Sequence, residues 1–89
     1  MRIKEAKSLR QKILLFARVR ELFGVSELQL ELKQGATAAD LVVALKDLCP
    51  ELAELSGRLF VAKDQELVEP ETPISDAREL AIFPPVGGG

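Results

Sequence analysis

Apolar and polar positions divide the chain into short extended segments around one helical stretch. Lys12-Ile-Leu-Leu-Phe-Ala-Arg-Val19 opens with four consecutive large apolar residues between charges. That run suits a strand covered on both faces, and so a central place in a sheet. Arg20-Glu-Leu-Phe-Gly24 reads as a turn or short helix with Gly24 as its stop. In Val25–Leu32, Glu27, Gln29 and Glu31 alternate with Leu28, Leu30 and Leu32, the period of a strand with one wet face. The short connection predicts an antiparallel hairpin.

Gln34-Gly-Ala-Thr-Ala-Ala-Asp40 breaks this pattern and starts a helix. Thr37 can cap it with its hydroxyl, and Asp40 stands where a capping-box acid reaches back. Leu41, Val42, Leu45 and Leu48 fall on one stripe of a 3.6-residue period, while Asp40, Lys46 and Asp47 mark the wet side. Pro50 disfavours helical geometry at Cys49 and can open a separate turn over Glu51–Leu55. Arg58–Lys63 is expected as a third strand, Lys63-Asp-Gln-Glu66 as a polar turn and Leu67-Val68 as a brief return strand. After a turn-rich connection, Glu79-Leu-Ala-Ile-Phe83 is the last strand. One helix against a mixed sheet of about five strands, with first and last strands able to lie parallel at its centre, is an α+β ubiquitin-like β-grasp arrangement. The expected boundaries are a flexible basic extension over 1–11, a folded domain over 12–83 and an extended tail over 84–89.

Composition narrows the chemistry. Eighty-nine residues, 47% apolar and 29% charged, suffice for one hydrophobic core. A single cysteine, Cys49, excludes an internal disulfide, and the absence of histidine excludes Cys/His zinc spacing and any Ser-His or Cys-His catalytic pair. No catalytic site of its own and no bound metal or cofactor are expected. Arg2, Lys4, Lys7, Arg10 and Lys12 against Glu5 leave residues 1–12 at +4 and the other 77 residues at −6. The acidic bulk would repel a phosphate backbone, so no nucleic-acid partner is expected. The longest apolar runs, Ile13–Ala17 and Leu41–Leu45, are five residues each, against the roughly 20 a membrane span requires. A cytoplasmic protein without membrane attachment is expected.

The ending Phe83-Pro-Pro-Val-Gly-Gly-Gly89 carries the remaining chemistry. Two prolines remove backbone donors, so the last strand cannot continue its ladder beyond Phe83. Residues 84–89 reach roughly 20 Å when extended, and glycines without Cβ pass through a slot too narrow for side chains. A bare triple glycine by itself reads as a loose chain end. The strand and the Pro-Pro leading into it, with no other catalytic equipment in the chain, weigh toward a working tail.

Ile82-Phe-Pro-Pro-Val-Gly-Gly-Gly89 and Lys12-Ile-Leu-Leu-Phe-Ala-Arg-Val-Arg-Glu-Leu-Phe-Gly24 resemble the end and the opening of the MoaD-type branch of the MoaD/ThiS ubiquitin-like sulfur carriers, the small subunits of molybdopterin synthases. The resemblance extends over about residues 12–89. It implies that an E1-like adenylyltransferase/sulfurtransferase, using ATP and Mg²⁺, adenylates the Gly89 carboxylate, which sulfide from a persulfide donor converts to a thiocarboxylate. The tail then enters the large catalytic subunit, in a heterotetramer of two small and two large subunits, and donates sulfur to cyclic pyranopterin monophosphate. On that reading the chain is the non-catalytic, sulfur-donating half of a sulfurtransferase. Gly89 bears the acyl group, Gly87 and Gly88 give passage, Pro84 and Pro85 aim the tail, and Phe83 and Val86 anchor it to the partner.

Phe16 could join that contact surface, although core is the plainer reading on a strand apolar on both faces. Cys49 reads as a small buried residue rather than a sulfur relay, and Arg18 and Arg20 as solvated charges or contacts to an acidic partner. The chain departs from the family pattern in three places: Ala77 replaces a common glycine, Gly87 a common small non-glycine residue, and the +4 extension has no counterpart in the shortest relatives. The alternatives are a ubiquitin-like modifier conjugated to lysines, a sulfur carrier for tRNA thiolation or thiamin, and a plain interaction domain.

Overall fold

The computed structural model describes residues 8–55 and 58–85. Strand β1 (Ser8–Leu15) and strand β2 (Glu27–Lys33) form the antiparallel hairpin, in unbroken register from Ser8↔Lys33 to Leu14↔Glu27. The strand therefore starts at Ser8 rather than Lys12, because β2 keeps its alternation through Lys33 and each of its residues finds a partner on β1. Gln11 is buried, and its Nε2 donates to the Ser75 carbonyl at 2.6 Å. Residues 8–11 are thus part of the folded domain and not of a flexible extension; residues 1–7 lie outside the described residues.

The first strand also stops early, at Leu15. Phe16 is extended and Ala17 takes φ 50°, turning the chain into helix α1 (Ala17–Phe23), whose Val19 is fully buried. Gly24 ends α1 in the left-handed region, φ 79°, its N–H donating to the Arg20 carbonyl at 2.8 Å; a Cβ would be strained in that conformation.

Helix α2 (Ala38–Leu48) begins at the expected capping box: Asp40 N donates to Thr37 Oγ1 at 3.2 Å and Thr37 N to Asp40 Oδ2 at 2.9 Å. Leu41 and Leu45 are fully buried and Cys49 caps the helix from within the core, but Leu48 is 57% exposed. At about 100° per residue the buried arc runs from Leu41 through Leu45 to Cys49, and Leu48 falls just outside it. Pro50 opens a 3-10 turn over Pro50–Glu54.

Strands β3 (Phe60–Lys63), β4 (Glu66–Val68) and β5 (Leu80–Phe83) complete a five-stranded sheet of order β2-β1-β5-β3-β4. The first and last strands lie parallel at its centre, and the other pairs are antiparallel. This is the mixed sheet of a β-grasp fold. Asp64 and Gln65 connect β3 to β4 with φ 52° and 75°, as a two-residue hairpin turn requires. Asp64 Oδ1 accepts from Arg78 N and Glu79 N at 2.8 and 2.9 Å, holding the start of β5 against this turn.

The connection before β5 lies along the entry to α2: Ala38 N donates to the Thr72 carbonyl, Ile74 N to the Ala36 carbonyl, and Gly35 N to Ser75 Oγ. Ala77 has no positive φ; it is buried and donates to the Ile74 carbonyl, so the turn works without glycine. Ile13, Leu15, Leu80 and Ile82 project from the two central strands into one core with Leu41, Leu45, Leu52 and Ile74.

Candidate functional site: the open sheet face and the root of the tail

Period-2 geometry sends Leu80 and Ile82 of β5 toward the helix and Ala81 and Phe83 to the opposite face. The strand registers then place Leu14, Ala81, Ala62 and Leu67 in one row across β1, β5, β3 and β4. Phe60 stands opposite Phe83 in the next row. Phe16 completes the cluster: its ring lies on that of Phe83 with centroids 4.8 Å apart and planes 7° from parallel, an offset stack. Its N–H reaches the Ile82 carbonyl at 3.3 Å, which extends the β1–β5 pairing by one step.

The result is an apolar groove of about 620 Å³ walled by Phe16, Phe60, Phe83 and Leu67, with Ala62 and Ala81 as its floor. The two alanines let the rings stand above the sheet. Phe16 is 38% exposed and Leu67 64%, so much of the wall is hydrocarbon in water. Charge is confined to the rim. Arg58 lies 5.3 Å from the Phe60 ring centroid and within 3.8 Å of Glu69, and Gln65 and Glu79 border the groove.

Four of the residues anticipated for partner contact, Phe16, Phe83, Pro84 and Pro85, meet where β5 ends, and both prolines are half-buried. The plainer reading of Phe16 as core is overturned: the strand stops one residue before it, leaving the ring at the mouth of the groove. Val86, Gly87, Gly88 and Gly89 lie outside the described residues. Sequence reasoning missed Phe60, Ala62, Ala81 and Leu67. Phe60 and Ala62 do alternate with Val61 and Lys63, but Leu59-Phe-Val-Ala62 is apolar throughout, so composition hides which residues face out.

Cys49 sits in the core. Burial pushes its thiol up from the ordinary range, and Glu51, whose Oε1 lies 3.4 Å from Sγ, adds to the rise. A thiol held protonated is a poor nucleophile. Arg18 pairs with Glu21 at 3.1 Å on the exposed side of α1, and Arg20 is exposed. Among the described residues no group of three His, Cys, Asp or Glu could hold a metal ion, and no helix there is long and apolar enough to cross a membrane.

A family model described as the ThiS family matches residues 13–89. The chain is 35% identical over 85 residues to a molybdopterin synthase sulfur carrier subunit of Arabidopsis thaliana, covering 96% of this chain and 88% of the relative. Among solved structures, a Pyrococcus furiosus protein assigned as molybdopterin converting factor, subunit 1, superposes with TM-score 0.76 at 29% identity, covering 89% of this chain and all of that one. The small archaeal modifier protein SAMP1 of Haloferax volcanii superposes with TM-score 0.72 at 26% identity, over 90% of this chain and 99% of its own.

Proposed function

The chain belongs to the ThiS family of ubiquitin-like sulfur carriers, and from that premise we propose that it is the sulfur-donating small subunit of a molybdopterin synthase. The observation that carries the proposal is the union of a family match running through Gly89 with an apolar face surrounding the root of the tail.

A carboxylate is a poor electrophile, so a separate adenylating enzyme with ATP and Mg²⁺ first converts Gly89 to an acyl adenylate. The terminal sulfur of a persulfide donor attacks the acyl carbon and AMP leaves; a thiol reductant then cleaves the resulting acyl disulfide, supplying the two electrons that leave a thiocarboxylate on Gly89 and a thiol on the donor. Phe16, Phe60, Phe83 and Leu67 seat the domain on the large catalytic subunit by excluding water. Pro84 and Pro85 fix their own φ near −65° and stop further strand pairing, so the chain leaves the sheet toward the partner. Gly87 and Gly88 give the tail a cross-section without side chains, and Val86 supplies an anchor at its base. In the large subunit the thiocarboxylate sulfur is transferred to cyclic pyranopterin monophosphate, two carriers serving each dithiolene.

Intact-mass measurement after incubation with the adenylating enzyme, ATP and a sulfur donor tests the reading. Replacement of one terminal oxygen by sulfur, followed by loss of that sulfur on addition of large subunit and pterin substrate, is the expected result. An unmodified mass overturns it. The likeness to an archaeal modifier protein favours a second reading, a tag attached to lysines; isopeptide-linked species in cells would be its mark.

A further inference from the structure

β2 is an outer strand: among the described residues it pairs only with β1. Seven regularly paired residues without proline or bulge make a long edge whose outer side is unpaired among the described residues. Which of its backbone groups face outward follows from one bond. Leu15 N donates to the Ser26 carbonyl at 2.9 Å, so these two residues form a directly bonded pair. By the alternation of an antiparallel ladder, Ile13–Leu28, Gln11–Leu30 and Leu9–Leu32 are bonded pairs too. Glu27, Gln29, Glu31 and Lys33 therefore turn their N–H and C=O groups away from β1. The Lys33 carbonyl accepts from Ala36 N, leaving the Lys33 N–H for an outside partner.

We propose that this edge pairs with the same edge of a second copy, antiparallel about a two-fold axis at Leu30. In that register Glu27 lies opposite Lys33 and Gln29 opposite Glu31, each twice by symmetry, with Leu28 opposite Leu32 and Leu30 opposite itself. Gln29 and Glu31 then exchange both backbone bonds, and the Lys33 N–H donates to the Glu27 carbonyl of the second copy. A half-step shift sets outward groups against inward ones and forms no ladder. The neighbouring permitted registers are disfavoured by charge: centring on Gln29 puts Glu27 against Glu31, and centring on Glu31 puts that carboxylate against its own copy. Centring on Leu32 also sets Glu31 against Lys33 but overlaps only Glu31–Lys33, so the Leu30 register is the one that matches opposite charges over the whole strand. It also joins the leucine faces of the two sheets, covering the half-buried Leu28 and Leu30. Val43, 59% exposed on α2, borders the C-terminal part of the same edge, by Glu31–Lys33. The open face around Phe16 and Phe83 is left free, so the pairing does not depend on the sulfur-carrier reading.

One strand pair buries less than the roughly 1,600 Å² of a standard stable interface, so the dimer is weak, half-populated between about 10 µM and about 1 mM. Sedimentation equilibrium of the full chain over that range tests it. Lys33→Glu and Glu27→Lys are each expected to weaken association about tenfold, and the double exchange to restore it to within about threefold of the parent. A monomer throughout, single substitutions without effect, or a double exchange no better than the singles overturns the proposal. Amide hydrogen exchange of the unsubstituted chain gives a second measurement. Exchange at Gln29 and Glu31 slows as concentration rises while exchange at Leu30, already bonded to β1, does not; rates independent of concentration overturn the proposal.

Discussion

Phe83 stacks on Phe16, faces Phe60 and precedes the two prolines, so on the proposed function its loss is expected to weaken docking most. Phe83→Ala is expected to weaken binding to the large subunit by about 1–3 kcal/mol, read by titration calorimetry, with the far-ultraviolet dichroism unchanged because the ring stands outside the core. Gln11 is the opposite case, a polar side chain whose work is structural. Gln11→Ala leaves the Ser75 carbonyl without its donor and should lower stability by about 1–3 kcal/mol in urea unfolding. Asp76 is held below the ordinary carboxylate range, chiefly by its hydrogen bond from Lys63 Nζ at 3.0 Å. A depressed carboxyl stabilises the fold above its unfolded value and ceases to do so as pH falls through its folded one. Asp76→Asn should therefore flatten the loss of stability below about pH 4 and reduce stability at neutral pH; urea midpoints measured across that range check the sign.

At the scale of elements, the β3–β4 turn and the tail make separable predictions. Gln65 adopts φ 75° after Asp64 at φ 52°, a turn in which Asp-Gly is favoured. Gln65→Gly should raise stability by about 1 kcal/mol, seen as a higher thermal midpoint. Deleting Gly88 and Gly89 should leave that midpoint unchanged while abolishing thiocarboxylate formation, since the core is complete by Ile82. Most elements were legible because each depends on near neighbours in sequence: the alternation of β2, the Thr37–Asp40 capping box, the stops at Gly24 and Pro50. The limits of β1 were not legible. Its first residues look like a charged extension, and only the length of β2 across the hairpin and the Ser75 carbonyl bring 8–11 into the sheet.

For the molecule as a whole, the apolar groove exists only because four strands from distant parts of the chain share one register. A charge placed on the groove floor is expected to keep the fold and block docking, since a carboxylate there would lose its water to the partner. Ala62→Asp, assayed by dichroism and by binding to the large subunit, checks this. The order of elements, the capped helix and the prolines that end the last strand were determined by the sequence, because each rests on short-range periodicity or on the restricted geometry of single residues; the parallel pairing of first and last strands, Ile13 with Leu80, was only allowed by it. Which apolar residues turn outward was decided by tertiary structure alone. Phe16 and Phe60 lie in runs apolar on both sides, so their facing depends on where β1 stops and how β3 aligns with β5, and neither is written in the local pattern.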